Sequence, residues 1–125
     1  MIIILDTNFL IYCAKEKLDY VEKIQDLVNE NYELVVPMQV IEELERLKIK
    51  AKKGKDKRAS DLALQILEKN KIKKIKVEGK TVDDGIIKLS NQNKKNIVAT
   101  LDKEMRTILG RVILINRGKK LMLTK

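Results

Sequence analysis

Histidine and tryptophan are absent from the 125 residues, cysteine and proline occur once each, and aromatic side chains make up only 3% of the chain. The histidine shortage removes the most chemistry. Without it there is no Ser-His-Asp or Cys-His nucleophile, no histidine acid–base pair and no ordinary zinc site. The lone Cys13 excludes an intramolecular disulfide and suits a reducing cytosol, and its apolar neighbours mark it as a small core residue. No run approaches the ~20 apolar residues of a membrane span. The short apolar start ends in an acid, unlike a signal peptide, so a cytoplasmic protein is expected. Any enzyme built from this chain has to work with carboxylates.

What the chain has in excess is positive charge, with 27 Lys and Arg against 18 Asp and Glu and a formal net charge of +9. The excess is spread along the sequence instead of being confined to a tail. It attracts polyanions, of which nucleic acid is the commonest in a cell. The length fits one domain, residues 1–125, with a core of its own.

The acids stand at informative places. An apolar run from Ile2 to Leu5 suits a strand buried on both faces, and it stops at Asp6-Thr7-Asn8. Thr7 or Asn8 can cap the helix that begins at Phe9. A second helical pattern in Val21, Ile24, Leu27 and Val28 is followed by a short strand at Leu34–Val36, and Pro37 suits the first turn of the next helix. There Val40, Ile41, Leu44 and Leu47 form the apolar stripe, with Glu43 at its edge and Glu42 pointing away. The basic stretch from Lys48 to Arg58 contains Lys50, Lys52, Lys53, Lys55, Lys57 and Arg58. It reads as a helix end and a mobile loop that contacts a phosphate backbone. A helix from Ala59 and a strand over Ile72–Val77 come next. Thr81 then caps a helix with Asp83 and Asp84 in its first turn. Gly85 costs helix stability at that place, which implies close packing or binding against its backbone. Ile97-Val98-Ala99 repeats the opening pattern, ending in Thr100-Leu101-Asp102. A short helix, a core strand at Val112–Ile115 and an edge strand or hairpin after Gly118 complete the chain.

Strands alternating with helices imply a three-layer α/β/α fold with a central, mostly parallel sheet. All C-terminal strand edges then lie on one side, which brings Asp6, Glu43, the Asp83-Asp84 pair and Asp102 together. Ionised acids this close repel, and a hard divalent cation such as Mg²⁺ or Mn²⁺ relieves the conflict with all-oxygen ligation. Carboxylate-held metal in a basic protein points to phosphodiester hydrolysis. With no histidine to assist a 2′-hydroxyl, the expected products carry 5′-phosphate and 3′-hydroxyl ends. A phospho-accepting receiver domain also has strand-end acids, but here the third strand leads into Glu78-Gly79.

Four stretches, Ile-Leu-Asp6-Thr-Asn, Pro37-x-x-Val-x-x-Glu43-Leu, Val82-Asp83-Asp84-Gly-Ile-Ile and Val-Ala-Thr100-Leu-Asp102, resemble the PIN-domain ribonucleases over nearly the whole chain. The resemblance implies a Rossmann-like fold and RNA as substrate. It implies Asp6, Glu43, Asp84 and Asp102 as ligands of one or two Mg²⁺ or Mn²⁺ ions, with Asp83 the alternative to Asp84. Thr7, Asn8 and Thr100 would support those ligands by hydrogen bonding. The paired aspartates, the Glu-Leu-Glu-Arg-Leu stretch and the Arg-Val-Ile-Leu-Ile tail are more similar to the ribosomal-RNA-processing branch than to the toxin branch. Pairing of two copies, or an antitoxin-like protein partner, is also implied by the resemblance alone.

Overall fold

Ile2–Leu5 (β1) sends its side chains alternately to two cores: Ile3 and Leu5 to one, Ile4 to the other, all three fully buried. A strand covered on both faces has to be apolar throughout, which accounts for the unbroken run. The computed structural model describes residues 1–124. After β1 come α1 (Thr7–Lys15), α2 (Tyr20–Leu27), β2 (Glu33–Pro37), α3 (Met38–Lys50), α4 (Gly54–Lys69) and β3 (Lys73–Ile75). They are followed by α5 (Val82–Ser90), β4 (Ile97–Ala99), α6 (Lys103–Ile108), β5 (Arg111–Ile115) and β6 (Leu121–Leu123).

The sheet order is β3-β2-β1-β4-β5-β6, parallel except for the β5–β6 hairpin. From β1 the chain moves outward to β2 and β3, then returns to the other side of β1 with β4. The order therefore reverses between β1 and β4. Outside the carboxyl ends of those two strands lies the crevice in which open α/β sheets bind ligands.

The larger core draws Phe9, Leu10, Tyr20, Ile24, Val40, Leu44, Ala63 and Leu67 from α1 to α4. Phe9 meets Tyr20 edge to face at 5.8 Å, a favoured aromatic geometry. The smaller core is closed by Ile86 of α5 and Met105 of α6. Cys13 is buried in the first core, and desolvation pushes its thiol pKa up to about 12, so it is an inert packing residue. Among the described residues, no helix is long and apolar enough to cross a membrane.

Three local expectations change. The basic stretch is not a long mobile loop: α3 runs to Lys50 and α4 begins at Gly54, leaving a tight connection over 51–53. Lys55, Lys57 and Arg58 consequently stand on the first turns of α4. Buried Ala59, Ala63 and Leu67 recur every four residues and set the helix phase. Asp56 in its first turn pairs with Lys15, and the Ser60 hydroxyl donates to the Asp56 carbonyl at 2.8 Å. Pro37 ends β2 and occupies the N-cap of α3 instead of its first turn. The strand expected over Ile72–Val77 is only Lys73–Ile75, because Val77 leaves the sheet to pack against Gly85.

That last contact explains the glycine in α5. A Cβ at position 85 would come within 2.6 Å of Val77 Cγ2 and 3.1 Å of its Cβ, whereas at Gly110 it would meet nothing within 4 Å. Gly85→Ala is expected to lower unfolding stability by about 1–3 kcal/mol through overpacking. Gly110→Ala should change it far less. Denaturant midpoints of the two variants check the difference.

Candidate metal centre

The carboxylate after β1 is held by its own corner and by the strand beside it. Asp6 is the N-cap of α1, so the capping role expected of Thr7 or Asn8 falls to the acid itself. Asp6 Oδ1 accepts from the Thr7 amide at 2.8 Å, and Oδ2 accepts from the Thr100 hydroxyl at 2.7 Å. Its own amide donates to the Ala99 carbonyl at 3.0 Å, continuing the β1–β4 ladder. Thr100 Oγ1 in turn accepts from the Asp102 amide at 3.1 Å, and Asn8 Oδ1 accepts from the Leu101 amide at 3.1 Å. The two strand ends are thereby tied together, with Asp6 only 5% exposed.

Asp102 caps α6, its Oδ1 accepting from the Glu104 and Met105 amides at 2.9 and 3.4 Å. Glu43 stands on α3, half-buried, with Arg46 Nη2 3.6 Å from its carboxylate. Asp83 and Asp84 lie in the first turn of α5, where the Asp84 amide donates to the Thr81 hydroxyl at 3.1 Å as the sequence predicts. A cleft of about 320 Å³ lies among these groups. Its acidic lining is Asp6, Glu43, Asp83 and Asp102; Thr7, Asn8, Ile11 and Leu47 complete the walls. Asp84 does not line it. Of the aspartate pair it is Asp83 that faces the other acids.

The electrostatics follow from that convergence. Burial raises the Asp6 pKa above its ordinary 3.8, against the lowering effect of the Thr100 and Thr7 hydrogen bonds, and the charges of Asp83 and Glu43 raise it further. Asp83 is raised in the same direction, first by desolvation and then by Asp102, Glu43 and Asp84. Like charges are being held together without enough compensation. Among the described residues no three acids are drawn close enough to share an ion. Thr7 Oγ1 is buried with no hydrogen-bond partner. An all-oxygen set of acids and an orphaned hydroxyl suits Mg²⁺ or Mn²⁺.

Lys50, Lys52, Lys53, Lys55, Lys57 and Arg58 are all exposed at the tip of the α3–α4 hairpin and none lines the cleft. Lys50 stands just beyond it, one helical turn after Leu47 of the cleft wall. The Ile11 and Leu47 walls and the approach of Arg46 to Glu43 are not anticipated from the sequence. Arg46 at i+3 from Glu43 is a signal that could have exposed the last of these.

The geometry has known counterparts. A family model described as PIN like domain matches residues 3–117. Ribonuclease VapC4 of Methanocaldococcus jannaschii is 38% identical over 105 residues, covering 83% of this chain and 79% of its own. The solved PIN domain endonuclease Utp24 shares the fold with a TM-score of 0.75 at 24% identity, over 96% of this chain and 90% of that one. The strand-end acids, the parallel sheet and a match spanning nearly every element agree: this chain belongs to the PIN-like domain family.

Proposed function

We propose that the protein is a divalent-metal-dependent endoribonuclease whose reaction centre is the cleft at the β1–β4 edge. The observation that carries this reading is the convergence of Asp6, Glu43, Asp83 and Asp102 on one cleft, with the Asp6 and Asp83 pKa values raised. Those four acids would hold one or two Mg²⁺ or Mn²⁺ ions. Asp83 takes the place that family resemblance gives to Asp84, because it lines the cleft. A bound ion supplies Lewis-acid polarisation of the phosphodiester and a more acidic water. The chain's own residues do the rest. Thr100 and the Thr7 amide fix the Asp6 carboxylate, Asn8 and Thr100 hold the two strand ends in register, and the α3–α4 lysines bind the flanking phosphates.

Within this reading, the paired aspartates and the Arg-Val-Ile-Leu-Ile tail favour a role in RNA processing, ribosomal RNA included. The likeness to Ribonuclease VapC4 favours a second role, as a toxin-type nuclease neutralised by a partner protein. Growth arrest on expression, relieved by the product of a neighbouring gene, would select the second.

Cleavage of end-labelled RNA should require Mn²⁺ or Mg²⁺, stop with EDTA and leave 5′-phosphate ends. Asp6→Asn and Asp102→Asn should each lower the rate by more than about 100-fold, and Thr100→Val within the ~10–100-fold typical of losing a ligand's hydrogen-bond partner. Activity surviving both aspartate changes would discredit the site, and no Mn²⁺ uptake in calorimetry would favour a binding domain that does not cut.

The acids also set a pH dependence. Because the Asp6 pKa is raised by folding, its ionisation costs stability in the metal-free protein. The cost is nil below its ordinary 3.8 and complete above its raised folded value. With chelator at pH 7, Asp6→Asn should therefore melt no lower than the wild type. Protons compete with the ion for the same oxygens, so apparent Mn²⁺ affinity should be lower at an acidic pH than at pH 7. Melting curves with and without Mn²⁺ at both pH values measure the two effects.

Lys53→Ala and Lys55→Ala should weaken RNA binding across all sequences. Each should flatten the dependence of log affinity on log salt by about 0.7 for every phosphate the protein no longer neutralises. The cleavage position should stay the same.

A further inference from the structure

Two acids outside the cleft bind together segments that are far apart in sequence. Lys119 Nζ lies 2.8 Å from Glu16 Oε1, which fixes the β5–β6 turn against the end of α1. Lys15 of the same helix end pairs with Asp56 on the first turn of α4. The pairs are near neighbours: Lys55 adds to the lowering of the Glu16 pKa begun by Lys119, and Lys53 and Lys55 add to that of Asp56 begun by Lys15. Four lysines from three segments thus surround two carboxylates, leaving the surface strongly positive. Arg117 and Lys120 on the turn and Lys57 and Arg58 on α4 are exposed and extend it. At the opposite edge of the sheet Arg111 is fully engaged, with two hydrogen bonds to Glu30 and one to the Lys95 carbonyl.

This surface stands on the rim that carries the carboxylates. β5 runs parallel to β4, so the turn after Ile115 lies at the same C-terminal edge as Asp6 and Asp102. The cleft wall leads to it, because Lys15 follows Ile11 by one turn on α1, on the same face. The turn is also well shaped. Asn116 Oδ1 accepts from the Gly118 and Lys120 amides at 3.0 and 3.1 Å, the Asn116 amide donates to the Lys120 carbonyl at 2.9 Å, and Lys119 sits at φ 58°. Arg117, Lys119 and Lys120 are thereby presented on a fixed scaffold.

We propose that the end of α1, the start of α4 and the β5–β6 turn form one composite surface for an RNA phosphate backbone, continuous with the acidic cleft, in which Arg117 and Lys120 make the second grip and Lys119, paired with Glu16, holds the turn in place. It rests on the ribonuclease reading for its substrate and not for its geometry. Lys119 and Lys15 are positioned by Glu16 and Asp56, so the two grips are held at a fixed separation. RNA held by both is laid along the wall that ends at Asp6.

The test is fluorescence anisotropy of a labelled 20-nucleotide single-stranded RNA in EDTA across a salt series, where binding is read without cleavage. The triple variant Arg117→Gln/Lys119→Gln/Lys120→Gln should bind about tenfold or more weakly at moderate salt. Its salt slope should fall by about 1.4, the two phosphates of Arg117 and Lys120 at ~0.7 each on a single strand. Lys119→Arg/Lys120→Arg, which keeps the charge, should bind as the wild type does, separating charge from any disturbance of folding. An unchanged affinity and slope in the triple variant, beside a weakened Lys53→Ala/Lys55→Ala, would overturn the second grip and leave the nuclease reading standing. Loss of affinity for a polyglutamate peptide with RNA binding intact would also overturn it, assigning the turn to an acidic protein partner.

Discussion

A hydroxyl and a carboxylate from residues 94 positions apart meet at 2.7 Å, and the centre of this molecule depends on that contact. Thr100 and Asp6 lie just beyond two strands that are neighbours only because the sheet order reverses there. The contact locks the reversal point, gives a buried acid one of its two compensating hydrogen bonds and aims what remains of its charge at the cleft. A threonine is needed for this. Its hydroxyl donates to Asp6 and accepts from the Asp102 amide at once, and an apolar residue of the same shape would leave a buried carboxylate short of a partner, a loss of about 1–3 kcal/mol or more for a charged group.

The protein keeps the four acids of the cleft apart from its densest groups of bases while holding both on one rim. Acids gather where helices α1, α5 and α6 begin, next to the strand ends, and on α3 facing them. Bases gather at the far end of α1, at the α3–α4 connection and on the β5–β6 turn. A polyanion approaching such a rim is attracted by the bases and repelled by the acids until a cation intervenes. Charge separation of this kind lets affinity for a polyanion and affinity for a cation be set by different residues.

Much of this arrangement is legible in the sequence because strand-end acids follow apolar runs. β1 and β4 announce themselves as Ile-Ile-Ile-Leu before Asp6 and Ile-Val-Ala before Thr100 and Asp102, and the parallel topology then leaves one edge for all of them. Glu43 is legible from helical phase and the Thr81 cap from its spacing to Asp84. The choice between Asp83 and Asp84 is not, because adjacent residues in a first helical turn differ by about 100° in direction and only the approach of α5 to the sheet decides which faces inward. The continuation of α4 through Lys55–Arg58 is likewise hidden. Local like-charge density argues for a loop there, and what overrides it is tertiary: Ala59, Ala63 and Leu67 in the core and Lys15 reaching Asp56 from another helix. Composite surfaces pinned by Glu16 and Asp56 have no local signature at all.

The central pairing of the first strand with one near the end of the chain has a consequence for biosynthesis. As the polypeptide leaves the ribosome, β1 finds β2 within about thirty residues, but its other neighbour, β4, emerges only after residue 96. Until then one side of β1 lacks its pairing strand, Asp6 has no Thr100 and the rim lacks Asp102. The acidic cleft of a nascent chain of this design is therefore completed only once Asp102, in roughly the last fifth of the polypeptide, has come free.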